Sequence, residues 1–310
     1  MVQQTPRTVR WAGARRLWKL MLDTPQETVH MTSLANEHEE RFVVADQRRF
    51  TWARCRTEIA PFITRHVTWR ALASGDIKSK YRRTFLGPWW ITVTNGITAL
   101  IMGLVAGRFL GFDTKNYLPH FMVSITIWGF ISSSISESCY IMINAGGMIK
   151  AVNMPILIHV MRMVQRNLII FLHNMAVVPV IWLFFPWHVG FETLLCLPGL
   201  AIVYVFAVSA SIIVGMVCVR YRDVPPVVGA VLQLLFFISP IIWVTSKIQG
   251  GELIVGLNPM AYLLAITRDP VMGIAPSALN WIGAVGFAGV LTAAMVYIYT
   301  RYRSRIVYWA

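Results

Sequence analysis

From Trp89 onward the chain alternates long apolar runs with short polar joints, whereas Met1 to Pro88 is polar throughout. A helix needs about 20 predominantly apolar residues to cross the hydrocarbon of a bilayer. Six stretches reach that length: 89–111, 117–141, 166–186, 193–219, 227–246 and 279–300. The pattern predicts an all-α integral membrane protein with six transmembrane helices. Residues 247–278 between the fifth and sixth are too broken by Gly and Pro to span. Their middle, "NPMAYLLAITRD", has a helix start signal, an apolar face and a charged stop, which predicts a short re-entrant or interfacial helix. Pro240 frees a backbone carbonyl and is expected to kink the fifth span.

Two stretches ahead of the first span have helical apolar periodicity. Ala14, Leu17, Trp18, Met21 and Leu22 form one stripe, and Phe62, Trp69, Ala73 and Ile77 form another. Such helices lie in the headgroup plane, apolar face down, or cap the protein's own surface. The second runs straight into the membrane and is read as an interfacial helix. The expected organisation is an N-terminal extension over 1–60, an amphipathic gate region over 61–88 and a six-span domain over 89–310.

Charge supplies the orientation. The chain has 28 Lys+Arg against 14 Asp+Glu, and 56% of its residues are hydrophobic. Residues 1–88 hold 16 basic and 8 acidic side chains, a surplus suited to anionic lipid headgroups, and no nucleic-acid-binding motif accompanies it. With the N-terminus inside, fourteen basic residues flank the spans on the cytoplasmic side and four on the outer side. Both termini are then cytoplasmic. No cleavable signal is legible in the first thirty residues, so insertion is expected to rely on the later spans. Cys55, Cys139, Cys196 and Cys218 show neither disulfide nor zinc spacing.

Candidate chemistry is sparse. Glu137 is the only acid well inside a span, among Ser132, Ser133, Ser134, Ser136 and Ser138. An ionised group facing lipid there costs about 2.5–3.5 kcal/mol, so this polar stripe either lines a water-filled path or bonds neighbouring helices. His173 and Asn174 read as helix–helix hydrogen bonders. Gly103, Gly107 and Gly111 offer a small-residue face for close helix approach. Phe236, Phe237 and Trp243 suit either a passage for sugar rings or a lipid-facing aromatic belt. No catalytic constellation is legible, which argues against an integral-membrane glycosyl or acyl transferase. No GxxxxGK[ST] loop is present to bind a nucleotide, and no paired intramembrane acids are there to couple ions. If the protein pumps, its power is expected from a partner.

Four blocks in order carry a resemblance: "SGDIKSKYRRTFLGPWW", "RNLIIFLHN", "RYRDVPPVVGAVLQLLFFISPIIW" and "LNPMAYLLAITRDPVMG". Together they resemble the membrane subunits of bacterial O-antigen and capsular polysaccharide ABC exporters, the Wzm/KpsM class of type-2 ABC permeases. Gly75 departs from the pattern, since the family often has Arg before the Asp. The resemblance implies a homodimer in the inner membrane, docked on two copies of a separate ATPase that holds ATP and Mg. It implies a glycan on polyprenyl pyrophosphate as substrate, with a teichoic-acid-like polymer, a lipid or a drug as the alternative. Lys78, Lys80, Arg82 and Arg83 then sit where the pyrophosphate arrives, and Tyr81, Trp89, Trp90 and Trp243 are the candidate aromatics of the glycan path. The loop Met148 to Arg162 falls where the family places its coupling helix, with Lys150, Asn153, Met154 and Pro155 as contacts for the ATPase. Short re-entrant helices between spans five and six are expected to form an outer gate.

Overall fold

The computed structural model describes residues 66–152, 156–245 and 251–309, apart from positions 83, 86, 88, 110 and 112. The first stripe, Phe62, Arg83, Asn153, Met154 and Pro155 lie outside the described residues. Among those described, five helical segments are long and apolar enough to cross a membrane: Trp89–Arg108, Thr114–Asn144, Leu157–Phe184, Phe191–Arg220 and Ala278–Tyr302.

Helix α1 (His66–Tyr81) precedes the first of these. Lys78 and Lys80 in its last turn complement the negative end of the helix dipole. Part of its apolar stripe turns toward the protein itself. Trp69 and Ala73 are buried, and α1 packs on α4 (Ile156–Met175). A break precedes the first span: Gly87 takes the left-handed conformation (φ 56°), and α2 (Trp89–Phe109) starts two residues later.

Helix α2 meets α3 (Thr114–Val152) through a ridge of small residues, but not the three glycines expected. Ala99, Gly103 and Ala106 are buried, and Gly103 faces Leu118. Gly111 lies beyond the helix at φ 65°, where only a residue without Cβ turns the chain at little cost.

Helix α3 is the axle of the molecule. It runs 39 residues, about 58 Å at 1.5 Å per residue. Asp113 satisfies its first turn by accepting hydrogen bonds from the backbone N–H of Lys115 (3.2 Å) and from Asn116 Nδ2 (2.8 Å). Its most apolar window is 78% buried, against 11% for that of α10 (Ala278–Trp309), so α3 is central and α10 peripheral. Phe121, Met122, Ile131, Met163, Phe206 and Leu263 lie fully inside the shared core.

The third span begins nine residues earlier than the apolar run suggested. Helix α4 starts at Ile156 and carries Arg162 and Arg166 inside the spanning segment. After an interruption at Ala176, α5 (Val177–Phe184) completes the crossing. Pro179 has no N–H to continue the ladder there. A 3₁₀ turn (Phe191–Leu195) leads into α6 (Cys196–Arg220).

The expected fifth span is not one long helix. Helix α7 (Val224–Ile238) has 15 residues, about 22 Å, and stops before Pro240. Ser239 is extended (ψ 147°), since the proline ring pushes its predecessor out of the helical region. Pro240 thus terminates the helix instead of kinking it. Helix α8 (Gly251–Leu257) and α9 (Pro259–Val271) follow. Asn258 caps α9 by accepting from the Met260 N–H at 3.0 Å, and Pro259 occupies its first position. Most of α9 is buried against α3, α6 and α10.

Candidate functional site

The last turn of α1 presents Lys78 and Lys80 to the surface, with Arg82 exposed in the turn that follows. Tyr81 sits between them, half-buried, with the Lys80 ammonium 5.8 Å from its ring centre. The Tyr81 hydroxyl is buried without a hydrogen-bond partner. Burial pushes its pKa above the usual phenol value, and the nearby Arg166 charge opposes that shift. Trp89 and Trp90 open α2 with much of their indole surface exposed, and Trp89 meets His173 edge-on at 6.0 Å.

Directly behind this basic turn is a charge network absent from the sequence reading. Asp76, on α1, receives Arg162 of α4 in a two-pronged contact, Nε to Oδ2 at 2.6 Å and Nη2 to Oδ1. Arg166, one turn further along α4, reaches Asp76 Oδ2 with Nη1 at 3.6 Å. Its Nη2 donates to Glu137 Oε2 on α3, an oxygen that also accepts from Asn167 Nδ2 at 3.3 Å. Two carboxylates and two guanidinium groups therefore cancel across three helices. This resolves the isolated acid: Glu137 is the α3 end of an ion-pair chain, and its side chain keeps 39% of its exposure. The Arg166 Nε, like the Tyr81 hydroxyl, is buried and unpartnered. Two signals were present in the sequence, namely arginines four apart on one helical face and Asp76 as the single acid in "SGDIKSKYRRTFLGPWW". Their meeting was not, because Asp76 and Arg162 are 86 positions apart.

The remaining polar groups of the spans mostly serve packing. Ser133 donates to the Gly129 carbonyl and Ser138 to the Ile135 carbonyl, both at 2.6 Å, while Ser211 of α6 donates to the Ser134 carbonyl at 3.0 Å. Thr92 donates to Asn174 Oδ1 at 3.0 Å across the α2–α4 contact, and His173 Nδ1 lies 2.8 Å from the Ile169 carbonyl of its own helix. Met148 to Val152 continue α3, and Ile156 to Arg162 open α4, so the expected coupling segment is drawn largely into two helix ends. Lys150 lies in the last turn of α3. Among the described residues no group of three or more His, Cys, Asp or Glu is placed to hold a metal.

Residues 67–271, from this docked helix through α9, match the family model of the ABC-2 type transporter. The chain belongs to that family. The permease is 25% identical over 202 residues to an O-antigen export system permease protein RfbA of Myxococcus xanthus, covering 63% of this chain and 76% of the relative. It is 23% identical over 242 residues to the Klebsiella pneumoniae protein of the same name, covering 76% and 91%. A second Klebsiella pneumoniae permease of that name is 22% identical over 206 residues, covering 65% and 78%.

At the other end of the permease, the carbonyls released by the break at Pro240 are taken up by side chains. Trp243 Nε1 donates to the Phe237 carbonyl (3.0 Å), Arg268 Nη1 to that of Pro240 (2.9 Å) and Tyr117 Oη to that of Ile242 (2.6 Å). Asn258 Nδ2 donates to Ser239 Oγ at 2.9 Å. Trp243 thus caps the end of α7 with its indole N–H. Phe236 packs beside Trp128 with ring centres 6.1 Å apart, while Phe237 is exposed. Arg268 is buried and also holds Asp269 Oδ1 at 2.9 Å.

Proposed function

We propose that this chain is the transmembrane subunit of an ATP-driven exporter that moves lipid-linked polysaccharide from the cytoplasmic to the outer side of the inner membrane. Family membership and the O-antigen export permeases among its relatives support a polysaccharide cargo. The observation that carries the access site is the basic end of α1, held against the bundle with Lys78, Lys80 and Arg82 exposed. These three and Arg83 would receive the pyrophosphate of a polyprenyl carrier, arginine's fork matching two phosphate oxygens at once. Tyr81, Trp89, Trp90 and Trp243 would flank the glycan. The excess of basic residues on the flanks read as cytoplasmic supports an α1 end in the cytoplasm. In a six-span topology, α7 and the unwound segment after it together make the fifth crossing, and α8 and α9 line the outer face.

The working unit is two copies of this chain on two copies of a separate ATPase, which would bind ATP and Mg. The joint between α3 and α4, with Lys150, Asn153, Met154 and Pro155, would seat in the ATPase and convert its closure into rigid-body motion. The direct test is reconstitution of the chain and its copurifying ATPase with defined lipid-linked glycans. Arg82→Ala with Arg83→Ala should abolish glycan stimulation of ATP hydrolysis while leaving the complex assembled. Unchanged stimulation removes both residues from the site, and glycan export by this chain without an ATPase rejects the assignment.

A further inference from the structure

The ion-pair chain lies between the two places that the proposed mechanism must connect. Asp76 is two residues before Lys78, so whatever holds Asp76 fixes the height and rotation of the basic turn. Arg162 and Arg166 are in the first turns of α4, about 10–20 Å from the α3–α4 joint at 1.5 Å per residue. Glu137 belongs to α3, the other helix that runs into the same joint. Both helices flanking the joint are therefore clamped to each other through Arg166, and to α1 through Asp76.

We infer that Asp76, Arg162, Arg166 and Glu137 form a cross-brace that makes the basic end of α1 move with the α3–α4 joint. They are positioning residues for transport and do not bind cargo. Three features favour a brace over a local charge pair. The four-residue network is neutral as a whole, so no member can leave without exposing an uncompensated charge. The contacts join three helices, with Arg166 bridging Asp76 of α1 and Glu137 of α3, so they do more than pair neighbours on one surface. The buried Tyr81 hydroxyl and Arg166 Nε are unspent donors at the brace. A shift of α1 along α4 can therefore be met by forming new hydrogen bonds as old ones lengthen, which suits an element with two arrangements.

The inference rests on the proposed export function for one of its two readouts. The first needs only the full-length chain in membranes. Ala73 has no exposed surface, so Ala73→Cys should react slowly with a maleimide, measured against the same chain without the added cysteine. Adding Asp76→Asn should speed that labelling about tenfold, and Asp76→Glu should restore most of the protection. The second uses the reconstituted complex. Asp76→Asn should lower glycan exported per ATP hydrolysed by about fivefold or more, with Asp76→Glu recovering part of it. A residue needed only for folding would reduce the amount of complex and leave this ratio alone. Unchanged Ala73→Cys labelling in Asp76→Asn overturns the brace, as does an unchanged export ratio once labelling has risen. Should Asp76→Asn fail to accumulate, Arg162→Lys, which keeps the charge and loses the fork, carries the same two readouts. Absence of ATP-dependent export by the wild-type complex would sink the functional reading and leave the labelling result to stand on its own.

Discussion

At the residue scale, four charges explain most of what is unusual. Arg166 serves two carboxylates on two helices, and its removal leaves Glu137, among the described residues, with Asn167 as its one side-chain partner. The side chains are partly exposed, so the cost falls below that of a fully buried pair. Arg166→Ala is expected to lower stability by about 1–3 kcal/mol, the range for orphaning a charged partner, read as the thermal midpoint of the purified chain in detergent. Arg166→Ala combined with Glu137→Gln should cost less than the two single changes summed, with a coupling energy of about 0.5–3 kcal/mol. Gly75 makes the opposite case. A Cβ there meets nothing within 4 Å, and the residue is exposed inside α1. Gly75→Ala should therefore stabilise by about 0.4–1 kcal/mol through the unfolded chain, measured on the same thermal scale.

At the scale of elements, the contact between α6 and α9 depends on one missing side chain. A Cβ on Gly199 would collide with the backbone carbonyl of Ile266, which has nowhere flexible to go. Gly199→Ala is expected to push the two helices apart at a cost of about 1–3 kcal/mol, visible as a lowered thermal midpoint. The broken segment after α7 follows a related logic. In hydrocarbon every backbone polar group must find a partner, and Trp243, Arg268 and Tyr117 provide them for three carbonyls. Arg268 is therefore as much a part of the backbone of this segment as a charge.

At the scale of the whole molecule, burial separates a central α3 and α6 from peripheral α2, α7 and α10, whose outward faces are apolar. Val290, midway along the α10 span, is 71% exposed on such a face. Val290→Arg places a charge in the apolar surroundings of that face, and about 2.5–3.5 kcal/mol on the insertion scale should shift the chain out of the membrane fraction, measured by carbonate-resistant yield.

The amino-acid sequence by itself determined the helical class and the approximate places of five spans, because hydrocarbon demands long unbroken apolar runs and tolerates little else. It determined the capped start of α9 at Asn258 and a disturbance at Pro240, read as a kink where the helix in fact ends, because those signals act within a few residues. Only the tertiary structure decided where the third span begins. Arg162 and Arg166 interrupt the apolar run, and they are admitted to the helix because Asp76 and Glu137 neutralise them from other parts of the chain. It also decided that the Trp69–Ala73 stripe faces protein, that Ala99 and Ala106 share the ridge with Gly103, and that Trp243 caps a helix end. Each of these depends on which surface comes to lie opposite, a matter of packing between residues distant in sequence that no local pattern encodes.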